Sequence, residues 1–341
     1  MPEPGFADLL EAIPLAAFVV DPAIRLISAN AAARVLFGNL PKGTLLFMKF
    51  REPELKSAIA AAIEDGKPRH MEIHEKVPIE RWFRVDITPM KQDDRANACL
   101  LLFRDTSESR NIDRMRTDFV ANASHELRTP LASLSGFIET LRGPAKDDQR
   151  ARERFLTIMQ EQASRMSRLI DDLLSLSRLE MRPFAEMTAE IDLADIAREV
   201  IDALGPMAQE GGVDLKLETD GDTSIMGIRD EMVEVVENLV ENAIKYGKSG
   251  KKVVIGVKAR KIPGDVVLSV RDFGQGIDPS HVPRLTERFY RADAGNQPSA
   301  KGTGLGLSIV KHILSRHQAH LTIQSVPGEG ATFVAYFRKS G

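Results

Sequence analysis

Residues 119–131 read Phe-Val-Ala-Asn-Ala-Ser-His-Glu-Leu-Arg-Thr-Pro-Leu, one histidine set against an otherwise apolar rhythm. Phe119, Ala123, Leu127, Leu134, Phe137 and Leu141 recur mostly at three- or four-residue spacing, which predicts an amphipathic helix with a single buried stripe. His125 stands two residues from both Ala123 and Leu127, about 200° around the helix from either, so it is expected to face solvent. A neutral imidazole in water is a usable nucleophile near pH 7. Glu126 follows immediately, and Thr129 lies one turn on, on the same face. Pro130 deletes a backbone donor within the helix and predicts a kink just after His125.

Working outward, this helix is expected to run from Ser107 to about Leu141. The linker Gly-Pro-Ala-Lys-Asp-Asp-Gln-Arg then turns the chain into a second helix, from about Ala151 to Met181. Phe155, Met159, Gln162, Met166, Leu169, Leu173 and Leu176 alternate steps of four and three, a heptad seam. A two-helix hairpin cannot bury two such seams on itself, so a homodimeric four-helix bundle is expected. Charges on the outer helix faces read as a solvated surface.

Before the hairpin, short strand-like runs at Ala-Ala-Phe-Val-Val-Asp and Ile-Arg-Leu-Ile-Ser-Ala-Asn precede two helices and three further strands. In the middle one of the three, Phe83, Val85 and Ile87 alternate with Arg84, Asp86 and Thr88, the pattern of a half-buried antiparallel strand. After the hairpin, helices and strands alternate and end in a hairpin of His-Leu-Thr-Ile-Gln-Ser-Val and Gly-Ala-Thr-Phe-Val-Ala-Tyr-Phe-Arg-Lys, which predicts an α+β sandwich.

At 341 residues the chain is long enough for two or three domains, each with its own core. The formal net charge of −3 gives no reason to expect nucleic acid or an anionic membrane as partner. Cys99 is the only cysteine, so an internal disulfide and zinc sites built on cysteine pairs are excluded. No window approaches the ~18–20 apolar residues needed to span a bilayer. The expected location is therefore the cytoplasm, either as a soluble protein or as the cytoplasmic part of a membrane-anchored sensor.

Four strings in the last unit carry chemistry. Asn238 and Asn242 are four apart on one helix face, and their side-chain oxygens suit Mg2+; Lys245 lies one turn beyond, placed to meet phosphate. Asp272 precedes Gly274 and Gly276, a carboxylate able to accept from an adenine amino group beside backbone that permits close approach. Glu-Arg-Phe-Tyr-Arg, residues 287–291, is followed by a pliant stretch from Ala292 to Lys301. Gly302, Gly304 and Gly306 then lead into a helix, whose N-terminal amides bind phosphate naturally. The run lacks the Gly-Lys-Ser/Thr ending of a Walker site.

Ser-His-Glu-Leu-Arg-Thr-Pro resembles the H box of sensor histidine kinases of the dimerising HisKA type. The four later strings, in their order, resemble the N box, the two glycine boxes and the F box of the Bergerat ATP-binding fold, shared by histidine kinases, gyrase-type topoisomerases, ninety-kilodalton heat-shock chaperones and mismatch-repair ATPases. Phe-Val-Val-Asp-Pro-Ala-Ile-Arg-Leu-Ile-Ser-Ala-Asn and Leu-Leu-Phe-Arg-Asp-Thr-Ser resemble the two ends of a PAS sensory domain. The chain is most similar to sensors of the phosphate-regulon type. The resemblance implies a multidomain α+β protein: a PAS domain over 1–106, a dimerising phosphotransfer hairpin over 107–186 and an ATP-binding domain over 187–341. It implies a histidine kinase of a two-component system that uses ATP and Mg2+, phosphorylates His125 with Glu126 as acid–base partner, and passes phosphate to the receiver domain of a response regulator. It also implies phosphatase activity that depends on Thr129. By position, Asn238 and Asn242 would hold Mg2+, Asp272 would read adenine, and Lys245 and Arg291 would neutralise phosphate. Tyr246, Gly274, Gly276, Gly302, Thr303, Gly304, Leu305 and Gly306 would complete the nucleotide site, with the segment from Ala292 to Lys301 as its lid. A degenerate scaffold would be expected to lack His125 or the two asparagines. A Bergerat ATPase with a chaperone or DNA role would not need the H box and its heptad hairpin.

Overall fold

The computed structural model describes residues 5–75, 80–92, 95–181, 189–260, 265–292 and 302–338. They fall into two compact units, Met1–Asp118 and Phe119–Gly341. In the first, α1 (Phe6–Glu11) precedes β1 (Ala16–Val20) and β2 (Leu26–Ala29). Next come α2 (Ala31–Phe37), α3 (Leu46–Lys49) and α4 (Pro53–Asp65), then β3 (Arg69–Glu75), β4 (Arg81–Gln92) and β5 (Arg95–Asp105). The strands form one antiparallel sheet in the order β2-β1-β5-β4-β3. Phe83, Val85 and Ile87 are fully buried, as their alternation requires. With Phe18, Phe37, Phe50 and Phe103, Phe83 belongs to an aromatic core in which Phe37 meets Phe50 edge-on at 4.9 Å and Phe50 stacks on Phe103 at 4.8 Å. Asn30, also fully buried, caps α2: its oxygen accepts from the Ala17 and Ala33 amides, and its amide donates to the Ile13 and Leu15 carbonyls. All of its hydrogen-bonding capacity is used, which is what permits its burial.

Helix α5 (Ser107–Arg142) runs through Pro130 without interruption. From Phe119 onward it belongs to the second unit, where it pairs with α6 (Gln149–Met181). Phe137 and Phe155 meet at 5.1 Å across the pair, and Arg165 reaches Glu126 at 3.1 Å. The rest of the unit comprises β6 (Ala189–Asp192), α7 (Leu193–Gly211), β7 (Asp214–Asp220), β8 (Ser224–Gly227) and α8 (Arg229–Tyr246). After these come β9 (Lys252–Ala259), β10 (Asp265–Asp272), α9 (Gly306–Arg316), β11 (His320–Val326) and β12 (Gly330–Arg338).

The main sheet of this unit has the order β11-β12-β10-β9-β7, with β7 parallel to β9 and the other pairs antiparallel. Val253, Ile255 and Val257 on β9 and Val266, Leu268 and Val270 on β10 are fully buried and share a core with α7, α8 and α9. The α+β sandwich read from the sequence is the one observed. The two-stranded β6–β8 sheet is an addition, made of four-residue strands too short to display a period.

The heptad seam of α6 divides in two. Its upper part meets α5 through Phe155, whereas Leu169 and Leu176, at most 3% exposed, join the core under α8 and α9. A second apolar row stays open: Leu131 and Ile138 on α5, and Leu156, Ile170 and Leu174 on α6, are each at least 44% exposed.

A nucleotide-sized cavity beside an exposed histidine

Helix α8 buries Met232, Val235, Val236, Leu239, Val240, Ala243 and Ile244 against the sheet. Its opposite face is therefore left to polar side chains, and these line a cavity of about 1030 Å³. Into it α8 brings Asn238, Asn242, Lys245 and Tyr246. The end of β10 and the turn after it add Asp272 and Gly276, and the loop before α9 adds Arg291 and the run Gly302, Thr303, Gly304 and Gly306. Four strings spread over some seventy residues of sequence thus converge on one space. Ala292 lines it as well, while the rest of the expected lid, 293–301, lies outside the described residues.

Asp272 is only 4% exposed. Its Oδ1 accepts from the Gly274 amide at 2.9 Å. Burial pushes its carboxyl above the usual range, and backbone donors, Gly274 first, pull partly the other way. A carboxylate in that setting is a strong acceptor for a donor that arrives with a ligand. Gly274 does not line the cavity: a Cβ there would lie 2.3 Å from the Tyr246 carbonyl oxygen, so its role is to let two backbones touch behind Asp272. Gly304 has φ +73°, and a Cβ on it would lie 2.7 Å from the Phe289 carbonyl carbon. That conformation stops the helix from reaching back past Gly306, where α9 begins. Leu305 is fully buried and enters the core rather than the cavity.

The asparagines differ in setting. Asn238 donates its amide to the Glu234 carbonyl at 2.9 Å, and a Cβ on Gly306 would come within 2.3 Å of its Oδ1. Lys245 pairs with Glu241 at 2.8 Å. Glu234, Glu237 and Glu241 line the same wall, and burial, then the Glu241 carboxylate, hold Glu237 above the usual range. This wall of hard oxygen donors and negative potential suits a hard divalent cation that also binds ligand phosphates. Among the described residues no group of three or more His, Cys, Asp or Glu side chains is placed to chelate a metal by itself.

His125 is exposed on α5, as expected, and it does not line the cavity. Glu126 is held by Arg165, both about one-third exposed, and Arg165 itself lines the cavity. The Thr129 hydroxyl donates to the His125 carbonyl at 3.3 Å, one turn back. Phe119, two turns before His125, meets Phe289 at 5.8 Å, and the Arg288 guanidinium sits 5.3 Å over the Phe119 ring. Phe289 has φ +62°, and its amide donates to the Gly304 carbonyl at 2.8 Å. The loop ahead of the glycine run therefore touches both the histidine helix and that run.

One sequence expectation needs correction. The outer-face charges of α6 are not all solvated: Arg165 and Asp172 are half-buried and, with the exposed Arg168 between them, line the cavity from one helix face. No local pattern shows this, because the partners lie 39 positions away for Arg165 and 131 for Asp172. The same holds for Ser175, whose hydroxyl donates to Glu234 at 2.5 Å.

A folded sensor-like sheet, a helical hairpin with an exposed histidine and a sandwich with a glycine-lined polar cavity together define a signalling kinase architecture. Residues 115–182 match the His Kinase A phospho-acceptor domain family. Residues 227–341 match the histidine kinase-, DNA gyrase B- and HSP90-like ATPase family, and 10–111 match a PAS fold family. The chain carries a PAS fold, a His Kinase A phospho-acceptor domain and a histidine kinase-like ATPase domain, the domains of sensor histidine kinases.

Among its relatives, it is 40% identical over 238 residues to the phosphate regulon sensor protein PhoR of Pseudomonas aeruginosa, covering 70% of this chain and 53% of that one. It is 30% identical over 370 residues to drug sensory protein A of Synechocystis, covering 95% of this chain and 54% of that one. The sensor-like histidine kinase SenX3 of Mycolicibacterium smegmatis is 35% identical over 245 residues, covering 71% and 62%. The chain spans between about half and two thirds of the length of these relatives. The fold is shared with the solved histidine kinase ThkA, in complex with the response regulator protein TrrA, at TM-score 0.52 and 21% identity over 97% of this chain and 98% of that one. Among the described residues no helix is long and apolar enough to cross a membrane.

Proposed function

We propose that the chain is an ATP-dependent protein histidine kinase that autophosphorylates on His125 and hands the phosphoryl group to an aspartate of a response regulator's receiver domain. The observation that carries this reading is the convergence of Asn238, Asn242, Lys245, Asp272, Arg291, Gly302, Thr303, Gly304 and Gly306 on one cavity of about 1030 Å³, at the upper end of the volumes of small-molecule sites. In this reading Asp272 accepts from the adenine amino group, the glycine run and Thr303 hold the phosphates, and Lys245 and Arg291 offset their charge. Asn238 and Asn242 are the residues that would hold Mg2+, whose chemistry when bound is to neutralise charge on the phosphates. The domain division we infer is PAS 1–106, hairpin 107–186 and ATP-binding domain 187–341.

His125 attacks the γ-phosphorus in line while the bond to ADP breaks, and Glu126 takes the imidazole proton. In the arrangement observed, Glu126 is engaged by Arg165 and His125 lies outside the cavity, so transfer requires the ATP-binding domain to move along the hairpin. Thr129 is placed one turn from His125 to orient a water against the aspartyl phosphate of a docked regulator, the phosphatase reaction. Homodimerisation is supported by the open row Leu131, Ile138, Leu156, Ile170 and Leu174, apolar surface that a second hairpin would cover. The reaction is placed in the cytoplasm, where ATP and response regulators reside.

Incubating the full chain with labelled ATP and Mg2+ should give an acid-labile, alkali-stable phosphoprotein that donates its label to a receiver domain. Label that is acid-stable, or no label, refutes the reading.

A further inference from the structure

The contact between α6 and the glycine run has a chemical character that the kinase reaction does not require. The Thr303 hydroxyl donates to Asp172 Oδ2 at 2.6 Å. Both residues line the cavity, with Gly302 and Gly304 on one side and Lys245 on another. Asp172 thus places a carboxylate against the loop that the proposed function assigns to the nucleotide's phosphates. Two further polar contacts seat the same stretch of α6: Ser175 on Glu234 at 2.5 Å, and the Arg316 guanidinium on the Leu179 carbonyl at 3.4 Å. Leu169, Leu176 and Leu179 anchor it in the core between them.

We propose that Asp172 is an internal competitor of the nucleotide: with α6 seated, its carboxylate takes the Thr303 hydroxyl and sets a negative charge where phosphate would bind. Seating of α6 and nucleotide binding then oppose each other. The inference rests on the reading that the glycine run binds phosphate. Two anions cannot share one hydroxyl donor in a partly buried site without strong repulsion. The charged groups around Asp172 include Arg168 on its own helix and Glu234, Glu241 and Lys245 on α8. Burial holds the Asp172 carboxyl above its usual range and Glu241 adds to the rise, while the Thr303 hydroxyl, Lys245 and Arg168 pull only partly the other way. Linkage makes the opposition reciprocal: what binds the loop loosens α6, and what seats α6 weakens binding at the loop. The helix carrying the heptad seam would thereby set nucleotide occupancy, and the nucleotide would set the freedom of the ATP-binding domain to travel toward His125.

The test uses the full chain with trinitrophenyl-ATP and Mg2+, read by fluorescence titration. Asp172→Asn should bind about tenfold tighter than wild type, at the lower end of typical coupling between sites. Asp171→Asn removes the same charge one residue away, outside the cavity, and should stay within twofold. Amide exchange across residues 169–179 should speed up when nucleotide is added to the wild type. Unchanged or weaker binding by Asp172→Asn, or nucleotide that slows exchange across 169–179, overturns the proposal. Asp272→Asn separates the two claims. If it binds like wild type, the nucleotide-site reading fails and the proposal with it. If it loses binding while Asp172→Asn gains none, the site stands and only the competition is wrong.

Discussion

Replacing Asp272 by Asn changes one atom in a residue that is 4% exposed, and its consequences can be worked through. One carboxylate oxygen accepts from the Gly274 amide at 2.9 Å, and in the proposed reading the carboxylate also meets the adenine amino group. An asparagine has only one oxygen, so its NH2 must face either the Gly274 N–H or the adenine amino group, a donor against a donor. The loss of a charge-assisted bond together with the buried mismatch comes to about 3 kcal/mol, or roughly 150-fold in nucleotide affinity.

Stability should move differently. Burial holds the Asp272 carboxyl above its ordinary range, so its stabilising contribution is present in acid and is lost as pH rises through the raised folded-state value. Near pH 7.5, removing the buried charge therefore leaves the melting temperature of the unliganded chain equal or higher, and this advantage fades in acid. Titration with trinitrophenyl-ATP and with GTP, beside thermal melts, reads all of this. Weaker ATP binding, a lost preference for ATP over GTP and an undiminished melting temperature are expected. Affinity within threefold of wild type, with the preference intact, refutes the assignment of Asp272 to adenine.

Three more outcomes follow from the geometry. Gly304→Ala must hold a side chain at φ +73°, about 1–2 kcal/mol of strain, with its Cβ 2.7 Å from the Phe289 backbone, so nucleotide affinity should fall more than tenfold while circular dichroism keeps its helix signal. Thr129→Ala should autophosphorylate and transfer forward near the wild-type rate, yet slow the decay of a phosphorylated receiver domain, assayed with ADP present, by about tenfold or more; equal decay leaves the hydroxyl only its bond to the His125 carbonyl. Leu174→Lys puts a charge into the open apolar row and should shift the dimer toward monomer in sedimentation velocity, whereas an unchanged dimer would place the interface elsewhere.

What the sequence disclosed and what it withheld divide by range. The period of α8 set its apolar side on the sheet and so turned Asn238, Asn242 and Lys245 toward a common space. The strand alternation at Phe83, Val85 and Ile87 and the glycines before α9 were equally local signals. The partners of Arg165, Asp172 and Ser175 were not readable, because their burial depends on which surface of the ATP-binding domain meets α6. That is a long-range packing fact to which a helical period is blind. The split of the heptad seam has the same origin: Leu169 and Leu176 carry seam spacing, but an apolar position does not state which apolar surface will cover it. Adjacency alone groups Leu305 with its glycine neighbours, whereas its side chain is buried in the core.

The central claim is that His125 carries the phosphoryl group, and locating the phosphate tests it most directly. After a brief incubation with ATP and Mg2+, the protein is digested at alkaline pH and the phosphopeptides are sequenced by mass spectrometry, in wild type and in His125→Ala. Phosphate on His125 in the wild type and none in the variant, which still binds nucleotide with wild-type affinity, is the expected result. Phosphate on another residue, or a variant labelled to the same extent as wild type, contradicts it.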